Sequence, residues 1–371
     1  MQAGLQRRGH DLHGLKLYGE IVSILTELCK PRNNDTMRVL AADIGGTSTR
    51  LCIAECTDGA CRRLHTEWFS SSAYAGLAGI LHEFLQADAA MMLDGVCLAI
   101  AGPVRTTSTG QSAKVTNLPW EIESDALAQI FGFPRVRLIN DFEAIGYGLP
   151  MLAASDFVVL QKGDPAPCRP RALIGAGTGL GQAVLFWQGD QYTVIPTEGG
   201  HADFGPVDDL QIDLARYLLR QYGHASYELI LSGSGLVRLY AFLRERGTTA
   251  ESPTVMQAMQ GGDPAAAITQ AALHQEDPLA QQALDLFVRI YGAQAGNLAL
   301  TAGATGGIDI AGGIAPRIVS AFGENFLGAF RNKGTMSHYV RAIPVRVITN
   351  TEVGLLGAML VASRMLGDEP D

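Results

Sequence analysis

The chain has 371 residues, 47% hydrophobic, 18% charged and 7% aromatic, with 43 glycines. Such a chain can bury one or two substantial cores, with two domains expected, and its profile fits an α/β enzyme rather than a disordered or coiled-coil protein. Acidic residues outnumber basic ones 37 to 28, a formal charge of -9, which argues against a nucleic-acid binder, and no apolar run approaches the roughly twenty residues of a transmembrane helix.

In the first 36 residues, Leu17, Ile21, Leu25 and Leu28 fall at roughly helical spacing before Pro31,. This segment reads as a docked helix, a loose tail, or the product of an upstream start codon with Met37 as the physiological start. A transit peptide is disfavoured by Asp11, Glu20 and Glu27,.

Val39 to Ala54 reads as strand, tight Gly45-Gly46 turn and strand, the glycines supplying the positive φ of a close hairpin,. The turn's backbone N–H groups, beside the hydroxyls of Thr47, Ser48 and Thr49, suit phosphate oxygens. Asp43 would repel a bare phosphate, and makes sense with Mg²⁺ between the two. Alone, the stretch fits an ordinary hairpin capped by its aspartate equally well.

The six cysteines, Cys29, Cys52, Cys56, Cys61, Cys97 and Cys168, contain no Cys-x-x-Cys pair. They read as reduced thiols of a cytosolic protein.

Ala78 to Leu85 predicts a helix and Gly95 to Val104 a buried strand leaving through Gly102-Pro103,. Ser124 reads as the N-cap of a helix through Ile130,. The next strand, Val136 to Ile139, ends on Asn140-Asp141, at the carboxyl end of a strand where ligands of open α/β sheets gather,. Asp141 suits a general base that orients and deprotonates a sugar hydroxyl for phosphoryl transfer. A plain helix N-cap is its bland alternative.

Ala172 to Val184 is a second strand, glycine-rich turn and strand. It is not the dinucleotide fingerprint: Leu180 stands where the last glycine counted from Gly175 is required, and Val184-Leu185-Phe186 continues as strand,. No Gly-Lys pair occurs, which excludes the Walker loop,. Two such hairpins half a chain apart suggest two similar domains gripping one nucleotide.

Glu198, His201 and Glu228 offer directional partners for hydroxyl groups, with a surface turn and a solvated helix face as their plain alternatives. Leu231 to Gly235 reads as a turn before a helix from about Leu236 to Arg244, and Asp263-Pro264 and Asp277-Pro278 open two more,. The apolar face of Leu284, Phe287, Val288, Tyr291 and Ala295 reads as core or subunit contact. Ile308 to Ala311 is a strand stopped by Gly312-Gly313, and Thr351 to Met365 is helical.

Asp43-Ile44-Gly45-Gly46-Thr47, Thr116-Asn117-Leu118-Pro119-Trp120, Ile139-Asn140-Asp141-Phe142, Gly175 to Gly181, Glu198-Gly199-Gly200-His201, Gly223-His224 with Glu228, and Ile310 to Pro316 stand in one order. That ordered set resembles the bacterial-type glucokinases of the hexokinase, actin and heat-shock-chaperone ATPase superfamily. The residues after His201 lack the cysteine cluster of zinc-bearing relatives, so the resemblance is to the zinc-free branch.

The resemblance implies a two-domain actin-like α/β fold, with mixed sheets like ribonuclease H and a cleft between domains. It places a small domain at 37–151 plus 350–371, a large one at 152–349, and leaves 1–36 as an extension of unknown role. It implies a cytoplasmic homodimer, without nucleic-acid or membrane partners, that transfers the γ-phosphoryl of ATP to glucose. Asp141 would be the base, with Asn140, Asp141, Glu198, His201 and Glu228 holding glucose and Thr116 and Asn117 beside them. Asp43, Ile44, Gly45, Gly46, Thr47 and Ser48, with Gly177, Thr178 and Gly179, would cradle the phosphates. Asp43 would hold Mg²⁺ through water, and Gly312 and Gly313 would take the adenosine. Another hexose, another phosphoryl donor, or a non-catalytic glucose sensor on the same fold are the alternatives.

Overall fold

The computed structural model describes residues 36–57, 60–86, 92–247 and 249–365. The segment before Thr36, read as a docked helix, a loose tail or the product of an upstream start codon, lies outside them. The described residues of Met1–Asp141 and Leu355–Asp371 form one compact unit and Phe142–Gly354 a second.

Strands of the first unit are β1 (Met37–Ile44), β2 (Ser48–Thr57), β3 (Ala60–Ser70), β4 (Gly95–Ile100), β5 (Val104–Thr106), β6 (Gln111–Lys114), β7 (Glu121–Glu123) and β8 (Val136–Asn140). Its main sheet runs β3-β2-β1-β4-β8, and β5-β6-β7 form a small second sheet. β1 is antiparallel to β2 but parallel to β4, which is parallel to β8. A strand covered on both faces must be apolar throughout, and Val39 to Ala42 and all of β4 are accordingly buried. The helix Leu77–Gln86 drives Leu77, Ile80, Leu81 and Phe84 into the same core as Leu40, Leu51 and Leu98. Their helical spacing is what the sequence displayed. Truncating Phe84 to alanine would cost about 3–5 kcal/mol in transfer and cavity energy.

The second unit contains β9 (Phe157–Gln161), β10 (Arg171–Ala176), β11 (Leu180–Gln188), β12 (Gln191–Thr197), β13 (Gly307–Ala311) and β14 (Val345–Ile348). Their order, β12-β11-β10-β13-β14-β9, repeats the first sheet's strand order and directions and adds antiparallel β9. The two glycine turns, β1–β2 and β10–β11, occupy equivalent places.

Helices Gly233–Glu245, Pro264–Leu273, Pro278–Thr301 and Ala315–Arg331 pack around this sheet's main core. Asp263 and Asp277 cap two of them through their carboxylates, each followed by proline. Tyr291 is fully buried at the centre, edge-on to Phe287, Phe322 and Phe326. Its hydroxyl accepts the Ala176 N–H at 3.1 Å and donates to the Ile174 carbonyl at 3.4 Å, which pins the end of β10. The helix Val353–Arg364 returns to the first unit, where Met359 meets Cys52 sulfur to sulfur at 3.8 Å.

Four sequence expectations are corrected. Cys56 and Cys61 are joined by a disulfide; they are directly opposed in the β2–β3 register, where side chains are nearest neighbours, and a search for Cys-x-x-Cys spacing passes over a hairpin pair. Cys52 and Cys97 are buried thiols and Cys168 an exposed one, these three lying outside any disulfide.

Neither Gly45 nor Gly46 has a left-handed φ; Gly46 is required because a Cβ there would lie 2.8 Å from the Thr116 carbonyl. Ser124 does not cap its helix, and its hydroxyl accepts the Gln111 N–H at 2.9 Å instead. Ser232 caps a helix that begins at Gly233, so the expected turn is the helix's first turn.

No helix among the described residues is long and apolar enough to cross a membrane.

Candidate active site

In the first unit the parallel register aligns Ile44, Ile100 and Asn140 in one row. The residues that follow them emerge from the same sheet edge, β1 and β8 being two strand spacings or about 10 Å apart. Asn140-Asp141 stand at a strand end, as expected from the sequence, and pairing through β4 puts them on the edge that carries the Gly45-Gly46 turn. Asn140 Nδ2 donates to the Gly102 carbonyl at 3.1 Å, and Asp141 opens the helix Asp141–Gly148.

The Gly45 N–H bonds the Ser48 carbonyl at 2.9 Å and closes the first turn. Among the described residues no acceptor takes the N–H of Gly46 or Thr47. Thr116, whose N–H bonds Ala101, and Asn117, held left-handed at φ 64°, lie against Gly46. Ser71, not singled out in the sequence, donates to the Gly45 carbonyl at 2.8 Å and its N–H bonds the Thr47 carbonyl at 3.0 Å. Its only sequence signal is a serine run after β3.

Asp43 lies opposite Arg50 in the hairpin. Burial pushes its carboxyl up from the ordinary range and the Arg50 charge partly opposes this. Arg50 itself stacks 3.6 Å over the Trp68 ring, on the strand rather than in the turn.

In the second unit the Gly177 N–H bonds the Gly179 carbonyl at 2.8 Å, and the Gly177 carbonyl accepts the Gly233 N–H at 2.9 Å. The positive end of a 13-residue helix therefore stands at this turn,. No described residue accepts from Thr178 or Gly179. Gly312, at φ +83°, packs so closely that a Cβ would lie 2.5 Å from the Ala176 carbonyl, whereas a Cβ on Gly313 would meet nothing within 4 Å. Gly312 thus serves the junction of two turns, and Gly313 has the open face.

Glu198, His201 and Glu228 come together in this unit. His201 Nδ1 is 3.8 Å from one Glu228 oxygen and Nε2 is 4.0 Å from a Glu198 oxygen, beyond hydrogen-bond range. Each side chain therefore keeps its capacity to bond a hydroxylated ligand. Glu228 is not on a helix face: its N–H bonds the Gly200 carbonyl at 2.8 Å and its Oε2 accepts the Leu180 N–H at 3.0 Å. His224 is exposed and bonds the Tyr222 carbonyl at 3.2 Å.

A glucokinase family model matches residues 40–365. The chain belongs to the glucokinase family. The glucokinase of Nostoc punctiforme is 43% identical over 344 residues, covering 88% of this chain and 99% of that one. A solved glucokinase from an Antarctic psychrotroph is 32% identical with a TM-score of 0.75, over 89% of this chain and 99% of that one. The glucokinase of Balamuthia mandrillaris, solved in complex with glucose, is similar in fold at 23% identity, with a TM-score of 0.74 over 94% of this chain and 98% of its own.

Proposed function

We propose that this member of the glucokinase family phosphorylates the 6-hydroxyl of D-glucose with ATP, Asp141 acting as general base. The observation that carries the reading is Glu228, one carboxylate that faces His201 on one side and closes the Gly177–Gly179 turn on the other. A single loop thereby serves both a sugar partner and a phosphate turn.

Asn140, Asp141, Glu198, His201 and Glu228 would bond the sugar hydroxyls, with Thr116 and Asn117 beside them. As O6 forms its bond to the γ-phosphorus, the bond from phosphorus to the bridging oxygen breaks, ADP leaves and Asp141 takes the hydroxyl proton. The unclaimed amides of Gly46, Thr47, Thr178 and Gly179 would meet phosphate oxygens, alongside Ile44, Gly45, Ser48 and Gly177, and Gly312-Gly313 the adenosine. Asp43 fits Mg²⁺ held through water, because a nearby cation favours the ionised form that burial disfavours,. Bound there, Mg²⁺ would neutralise phosphate charge.

The first unit is read as the small domain and the second as the large one, in a cytoplasmic homodimer acting in glycolysis, with sedimentation the check on the dimer.

ADP formation from MgATP across a hexose panel, for the wild type and Asp141→Asn, tests the reading. Glucose should be preferred, and the substitution should lower kcat by roughly 10²–10⁴ with glucose binding retained. Unchanged turnover would remove Asp141 from the role, and preference for another hexose would replace the substrate.

A further inference from the structure

Residues 200–204 and 225–228 are laced together beside the Glu228 carboxylate. The Phe204 N–H bonds Ala225, the Tyr227 N–H bonds Ala202 and the Glu228 N–H bonds Gly200, at 2.8, 3.1 and 2.8 Å. Both His201 and Glu228 lie within this lacing. Tyr227 is its buried anchor, its ring edge-on to Phe204 at 5.7 Å. Its hydroxyl accepts two N–H groups, Gly205 N–H at 3.3 Å and Asn297 Nδ2 at 3.0 Å.

The orientation of Asn297 is set from behind. Lys333 follows the helix Ala315–Arg331, and its Nζ donates to Asn297 Oδ1 and to the Ala293 carbonyl, both at 2.8 Å. An ammonium group has only donors. Asn297 must therefore turn its oxygen to Lys333 and its amide hydrogens to Tyr227 and to Gln294 Oε1, the latter at 3.2 Å. Gly296 leaves room for this: a Cβ there would lie 2.5 Å from Lys333 Cε. A half-buried ammonium with no carboxylate partner among the described residues is costly, and its burial lowers the Lys333 pKa to about 8,. Its retention here calls for a role that an aliphatic side chain would not perform.

We infer that Lys333, Asn297 and Tyr227 form a positioning network that holds Glu228 and His201 at the geometry a sugar requires. None of the three is a catalytic residue. Lys333 orients the Asn297 amide, the amide holds the Tyr227 hydroxyl, and Tyr227 fixes the paired segments that carry Glu228 and His201. The inference rests on the reading of Glu228 and His201 as sugar ligands.

Steady-state kinetics of the full chain with glucose and MgATP varied separately test it, for Tyr227→Phe, Asn297→Leu, Asn297→Asp and, as reference, Glu228→Gln. Tyr227→Phe and Asn297→Leu should raise the KM for glucose about tenfold, the loss of roughly one hydrogen bond's worth of order. The KM for ATP and kcat should stay within about twofold. Asn297→Asp should recover most of the loss, because a carboxylate accepts from Lys333 and from the Tyr227 hydroxyl alike. An unchanged KM for glucose in both variants, with Glu228→Gln raising it, would overturn the network while leaving the sugar site. No effect of Glu228→Gln would overturn the sugar site and the network with it. Equal rises in both KM values would reduce the three residues to general packing and overturn the positioning role. Should Asn297→Leu fail to fold, Tyr227→Phe, which removes one oxygen, decides the matter.

Discussion

The Glu228 carboxylate holds the Leu180 N–H at 3.0 Å, and the same oxygen lies 2.5 Å from where a Cβ on Gly179 would sit. The exit of the Gly177–Gly179 turn and the Glu228 carboxylate are therefore one mechanical piece, and the proposed function makes them a phosphate turn and a sugar ligand. Gly179→Ala should displace Glu228, raising the KM for glucose about tenfold or more, as expected for loss of a charge-assisted hydrogen bond. Gly177→Ala places its Cβ in open space and should change only the KM for ATP. Measuring both constants for both variants separates them; a glucose effect confined to Gly177→Ala would contradict the coupling.

Ser71 ties β3 to the first glycine turn through the Gly45 carbonyl and the Thr47 carbonyl. Ser71→Ala removes a hydroxyl from a fully buried position and leaves the Gly45 carbonyl without that donor, a cost of about 1–3 kcal/mol. The KM for ATP should rise several-fold while glucose binding, read by calorimetry without nucleotide, stays unchanged. Altered glucose binding with normal ATP kinetics would show that Ser71 does not shape the nucleotide turn.

Lys333 should leave a mark on stability against pH. Burial lowers its pKa from 10.5 to about 8, and its partners, the Ala293 carbonyl and the Asn297 amide, are dipoles rather than charges. Between pH 8 and 10.5 the unfolded chain binds a proton that the folded chain has released, so Lys333 makes stability rise with pH across that window. The difference in thermal midpoint between wild type and Lys333→Met should move in favour of the wild type from pH 7 to pH 10. A constant difference would show that Lys333 keeps an ordinary pKa.

The Cys56–Cys61 disulfide closes a loop of sequence separation 5, worth about 2 kcal/mol in the chain-entropy account. Cys56→Ser with Cys61→Ser should lower the thermal midpoint by a few degrees and leave kcat unchanged. The bond closes the end of β2 remote from the Gly45-Gly46 turn, eight residues or about 26 Å along the strand from Ser48,. Thiol labelling without reductant should spare these two cysteines; labelling of both would refute the bond.

Much of the architecture was legible in the chain. The strands around Gly45-Gly46 and Gly177–Gly179, the helix that buries Ile80 and Phe84, the Asp277-Pro278 start of the long helix and the placement of Asn140-Asp141 at a strand end are all local properties. Periods of two and 3.6 residues, caps and turn residues act within a few positions of sequence, so they can be read without knowing what lies across the core. The ordered motifs that resemble the glucokinase family belong to the same class, being short segments with their own chemistry.

Contacts across long separations were not legible. The need for glycine at 46 and 179 comes from Thr116 and Glu228, not from backbone freedom that a turn rule would reveal, while at 312 the close approach of Ala176 adds to a left-handed φ. The support of Tyr227 by Asn297, and of Asn297 by Lys333, spans more than a hundred residues. Opposition of Cys56 to Cys61 depended on a strand register, and Ser71 looked like any loop serine. Local preference sets the elements because it acts along the chain. Which carbonyl, carboxylate or ammonium meets each glycine and each amide follows from close packing of elements distant in sequence.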